Sequence, residues 1–69
     1  MPGRTYRVTE VVGTSSEGVD DAIKGAIGRA ARTLRGLDWF EVTEIRGTVQ
    51  NGDVGAFQVT MKVGFRVED

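Results

Sequence analysis

The chain has 69 residues, 39% of them apolar, with nine basic and ten acidic side chains and a net charge of −1. It contains no cysteine and no histidine, which excludes disulfides, thiolate metal sites, Ser–His or Cys–His triads and typical zinc centres. The balanced charge gives no global pull toward nucleic acid or an anionic membrane, and no window approaches the roughly 18 consecutive apolar residues of a membrane span.

A chain of this length holds one core, so residues 1–69 are expected to form a single domain. The start, Met1-Pro2-Gly3-Arg4-Thr5-Tyr6, lacks the apolar segment of a signal peptide, and cytoplasm is the default location. Ordering each residue costs about 1.5 kcal/mol, which one helix on one small sheet hardly offsets without a staple. With disulfides absent, oligomerisation is the expected staple.

From Arg4 to Val12 the chain reads as a strand, with Tyr6, Val8 and Val12 on one face and Arg7, Thr9 and Val11 on the other. Gly13-Thr14-Ser15-Ser16-Glu17 changes the period. Ser15 or Ser16 can cap a helix, Thr14 with Glu17 matches a capping box, and Glu17, Asp20 and Asp21 suit the positive end of a helix dipole.

The helix is expected from about Ser16 to Leu34. Val19, Ile23, Ala26, Ile27, Ala30, Leu34 and Leu37 recur at spacings of three and four, one apolar stripe. Arg29, Arg32 and Arg35 complement its carbonyl end, and Gly36 is placed to stop it. Gly25 and Gly28 each cost roughly 1 kcal/mol inside a helix relative to alanine. They mark either a close backbone approach or a marginal helix.

A long strand from Trp39 to Gln50 follows, then Asn51-Gly52, a strong hairpin signal. In the last strand, Ala56 to Val67, residues Phe57, Val59, Met61, Val63, Phe65 and Val67 alternate with Gln58, Thr60, Lys62, Gly64 and Arg66. The apolar row must cover the helix stripe and the other row faces solvent or a partner. The middle strand slips phase, with Phe40 and Val42 on even positions and Ile45 and Val49 on odd ones, which predicts a bulge near Thr43-Glu44. Strands this long outreach the helix, so the sheet is expected to curl around and overhang it. The expected class is α+β: β-α-β-β, a three-stranded antiparallel sheet partly wrapped around one helix.

Trp39 is the only tryptophan. If Phe40 points at the helix, Trp39 points to the outer face, where an indole packs in a subunit interface, stacks on a planar ligand, or is simply exposed. Gln58, Lys62 and Arg66 share that face. Glutamine offers a donor and an acceptor to a heterocycle edge, and Arg46 and Arg66 offer charge to a phosphate. Each of these side chains also occurs on strands that merely face water.

Gly13-Thr14-Ser15, Leu37-Asp38-Trp39-Phe40-Glu41-Val42, Glu44-Ile45-Arg46-Gly47, Phe57-Gln58-Val59 and Val63-Gly64-Phe65-Arg66-Val67-Glu68 together resemble the dodecin family. The resemblance runs in order over nearly the whole chain. It implies a flavin-binding protein assembled as a hollow homo-dodecamer, with flavin mononucleotide (FMN) or riboflavin held in pairs between tryptophans of neighbouring subunits. It assigns ring stacking to Trp39, a ring-edge hydrogen bond to Gln58, phosphate and ribityl contacts to Arg46 and Arg66, and a ring or ribityl contact to Asp38. Arg29, Arg32 and Arg35 fall where some bacterial members bind coenzyme A.

The implied role is storage and photoprotective quenching without turnover, with no nucleic-acid or membrane partner. One alternative is a purely structural oligomeric interaction module. Another is a flavin-dependent reductase, which would need an open ring face and a nicotinamide site; no Gly-rich dinucleotide fingerprint follows a strand.

Overall fold

In a computed structural model, residues 3–67 are described. Met1, Pro2 and Glu68, which enter the sequence motifs above, lie outside them. The order is β1 (Tyr6–Ser15), α1 (Val19–Thr33), β2 (Leu37–Gln50) and β3 (Asp53–Arg66). The three strands form one antiparallel sheet in the order β1-β3-β2. The expected β-α-β-β architecture is present.

The element ends differ from the sequence reading for identifiable reasons. β1 begins at Tyr6 and runs on through Gly13-Thr14-Ser15, because those residues pair with Val59, Gln58 and Phe57. The helix begins at Val19, three residues later than expected, and no side chain caps it. Ser15 instead stabilises the turn before it: its hydroxyl accepts from the Glu17 amide at 2.9 Å and donates to Asp21 at 2.7 Å. The first helical hydrogen bond runs from the Ala22 amide to the extended Gly18. At the other end Leu34 is already extended, and its amide closes the last turn on Ala30. Gly36 (φ 73°) turns the chain into β2, and its carbonyl accepts the Arg66 amide at 3.0 Å.

The core is the inner row of β3 under the helix. Val59, Met61 and Val63 are buried completely together with Ala22, and Val11, Val19, Ile23, Ala26, Ile27, Leu37 and Val42 pack around them. The stripe of spacings three and four passed over Ala22, yet it is the most deeply buried helical residue. The reason lies opposite, at Gly13: a Cβ there would run into the Ala22 carbonyl and lie 2.9 Å from the Ala26 Cβ. That is where two backbones come close. At Gly25 and Gly28 a Cβ would meet nothing within 4 Å, so no close approach within the chain explains those glycines.

The helix packs on β1 and β3 and hardly on β2. Fifteen helical residues span about 22 Å, whereas each strand of the β2–β3 hairpin has fourteen residues, about 46 Å. The hairpin therefore overhangs the helix, and the molecule measures 55 × 20 × 14 Å. Asn51 (φ 53°) and Gly52 (φ 77°) both adopt the left-handed conformation that a tight two-residue hairpin turn requires. The predicted bulge lies between Val42 and Glu44, and two more irregularities lie at Leu37/Trp39 and Thr48/Val49.

Candidate functional site

The outer face of the sheet carries every residue singled out for flavin contact. Its geometry at one end is set by the irregularity at Leu37/Trp39. Leu37 pairs with Phe65 and Trp39 with Gly64, so Asp38 is left between them without a partner. An extra residue in one strand lets neighbouring side chains share a face. Leu37 packs into the core while Asp38 and Trp39 both turn outward. The alternation rule gave the direction of Trp39 correctly but carried no sign of this bulge.

The indole lies against Gly64. A Cβ at that position would collide with ring atoms of Trp39, so the bare backbone of β3 is a floor for one side of the ring. Trp39 remains 40% exposed on the other. Tyr6 flanks it from β1, ring centroids 6.1 Å apart and planes inclined at 58°, within the range of favourable aromatic pairs. Phe40 faces the helix side, as expected, but is 48% exposed beside Ile23, Ile27 and Gly28 rather than buried. The reason is lateral rather than lengthwise: Phe40 pairs with the buried Val63, but the helix packs over β1 and β3 and hardly over β2.

Asp38 ties this end together. The Tyr6 hydroxyl donates to its Oδ2 at 2.8 Å, and Arg66 Nε lies 3.8 Å from the same oxygen. The hydrogen bond to Asp38 pushes the Tyr6 phenol above its ordinary pKa; partial burial and the Asp38 charge act the same way, against Arg4 and Arg66. The contribution of this bond is present below the ordinary tyrosine pKa and is lost as pH rises through the raised one. Tyr6 was read from the sequence only as one of three residues on a strand face. Its place in the site follows from β1 pairing with β3, which brings Tyr6 opposite Arg66.

Arg46 and Gln58 sit elsewhere. They are direct cross-strand partners, and Arg46 is drawn to Glu44 at 2.6 Å, an exposed pair that contributes little to stability. Along β3, Gln58 is six residues from Gly64, about 20 Å at strand rise. The structure thus brings Trp39, Asp38 and Arg66 together and places Arg46 and Gln58 in a second group beyond the reach of the first. Lys62 lies between the groups, with Glu10 and Glu41 as its cross-strand partners. The three helix-end arginines are also divided: Arg29 lines a groove against β1, and Arg32 and Arg35 line another at the helix exit.

Comparison with known proteins agrees with this architecture. The Dodecin family model matches residues 5–68. The dodecin of Thermus thermophilus is 54% identical over 67 residues, 97% of each chain. Among solved structures, dodecin from Streptomyces davaonensis superposes with a TM-score of 0.93 at 57% identity, covering 99% of this chain and 100% of that one. Dodecin from Streptomyces coelicolor gives 0.93 at 58%, covering 100% and 99%. The motifs, the strand order and the matched length lead to one assignment: the chain belongs to the dodecin family.

Proposed function

We propose that this protein binds and stores flavin, FMN or riboflavin, in a homo-oligomer whose expected form is a dodecamer, and that it quenches the light-excited ligand. The observation that carries the reading is the indole of Trp39 with one side on Gly64 and the other exposed. A flat apolar surface backed by rigid strand is suited to stacking a planar ring. The residues present fit the ligand: Trp39 for the ring, Gln58 with paired donor and acceptor for its edge, Arg46 and Arg66 for a phosphate, and Asp38 for a ribityl hydroxyl. A bound flavin supplies the absorbing, redox-active ring, which an electron-rich indole in stacking contact can quench.

The separation of about 20 Å between the Trp39 and Gln58 groups supports the oligomer. One ring contacts both only if a second copy brings its Gln58 and Arg46 beside the first copy's Trp39. A core of only four fully buried apolar side chains among the described residues points the same way. Function by binding rather than turnover fits a chain without histidine or cysteine, and the whole chain acts as one domain in this reading.

Titrating FMN and riboflavin with the protein while following flavin emission tests the proposal. Emission should be quenched on binding, and Trp39→Ala should weaken binding about ten- to a hundredfold, as loss of one aromatic stacking partner does elsewhere. Unquenched flavin at saturating protein would overturn the assignment, as would a Trp39→Ala variant that binds as well as the parent. Native mass spectrometry of the loaded protein reports subunit count and ligand stoichiometry together.

A further inference from the structure

The proposed ligand contacts give no role to Tyr6, although it touches both Asp38 and Trp39. It stands on one edge strand, and Asp38 and Trp39 stand on the other, with β3 between them. Two features let it reach across. Gly64 leaves the middle strand bare at that level, and the unpaired position of Asp38 turns its carboxylate outward, to 2.8 Å from the phenol. A bulge residue has no ladder partner to fix it, and an indole over a glycine has no side chain beneath it to hold its angle. Tyr6 supplies both constraints at once.

We infer that Tyr6 is a positioning residue of the ligand site: its hydroxyl fixes the Asp38 carboxylate, and its ring flanks the indole so that Trp39 presents one pre-set face. The inference rests on the flavin reading above for its ligand, but its structural half concerns the free protein. Without the phenol, Asp38 is left to Arg66 alone, at 3.8 Å. Without the ring, the indole gains rotational freedom that a planar ligand must then remove. Preorganisation of this kind appears in affinity because fewer side chains remain to be ordered on binding.

The chain has one tyrosine and one tryptophan, so absorbance and emission report on single residues. Tyr6→Phe keeps the ring and loses the hydrogen bond; it should weaken FMN binding by about two- to tenfold. Tyr6→Ala should weaken it further and raise the quenching of Trp39 emission by acrylamide in ligand-free protein. In the ligand-free parent, Trp39 emission should fall as the phenol ionises, with a midpoint above that of free tyrosine, and stay flat in Tyr6→Phe. A purely packing role predicts no difference in FMN affinity between parent and Tyr6→Phe. If both variants keep the parent's FMN affinity while Trp39→Ala loses it, the positioning role is wrong and the flavin reading stands. If the parent takes no FMN, the flavin reading fails; acrylamide then decides the rest, and unchanged quenching in Tyr6→Ala overturns the role as well.

Discussion

Apolar side chains of the β2–β3 hairpin fare differently beneath the helix and at the hairpin tip. Beneath the helix, Val59, Met61 and Val63 are completely buried. At the overhanging end, Val49 and Val54, which pair with each other, are 75% and 57% exposed. Apolar content and strand propensity are similar in both regions; what differs is whether the helix lies above them. A period-two pattern thus marks which side chains share a face, and the length of the covering element decides which of them form a core.

This contrast predicts unequal responses to truncation. Met61→Ala removes a fully buried side chain and should cost about 2–5 kcal/mol, read as a lower denaturation midpoint. For a core this small, that is enough to leave much of the chain unfolded at ordinary temperature. A loss as small as that of an exposed strand position would mean the helix does not hold this row closed.

Gly64→Ala probes the outer face at the level of the core. Its added methyl points away from Val63 and into the indole, so the fold should survive and the site should not. We expect a melting temperature near the parent's, a shifted Trp39 emission spectrum, and FMN binding weakened about tenfold or more, comparable to loss of a stacking contact. Unchanged emission and affinity would mean that the indole does not rest on β3.

Much of this was legible in the sequence. The antiparallel β-α-β-β order, the Asn51-Gly52 turn and the bulge beside Thr43 follow from local chemistry: positive-φ residues and a phase slip in alternation. The outward direction of Trp39 follows from the same alternation. The helix start and the end of β1 were less legible, because Ser15 and Gly13 serve a turn and a close packing contact that only tertiary structure defines. Ala22 was missed because hydrophobic spacing weighs size, whereas burial beside Gly13 rewards smallness. At the site, Trp39, Asp38 and Arg66 come together, but nothing local indicates that Tyr6 joins them, since strand order is a long-range property. The separation of Arg46 and Gln58 from Trp39 is also a matter of register, visible once Gln58 and Gly64 are counted along one strand.

The smallest expected effect belongs to the overhang. Val49→Thr replaces one methyl by a hydroxyl on a side chain that is 75% exposed, so its effect on stability should lie within about 0.5 kcal/mol. Threonine also suits a strand, which leaves no backbone reason for a larger change. A loss above about 1 kcal/mol would therefore require Val49 to be covered in the working protein, where a new hydroxyl would need a partner. Sedimentation velocity over a range of concentrations distinguishes the two cases. An unchanged coefficient with unchanged stability keeps the hairpin tip a solvent-facing overhang, and a coefficient that falls along with stability makes the tip a contact between copies of the chain.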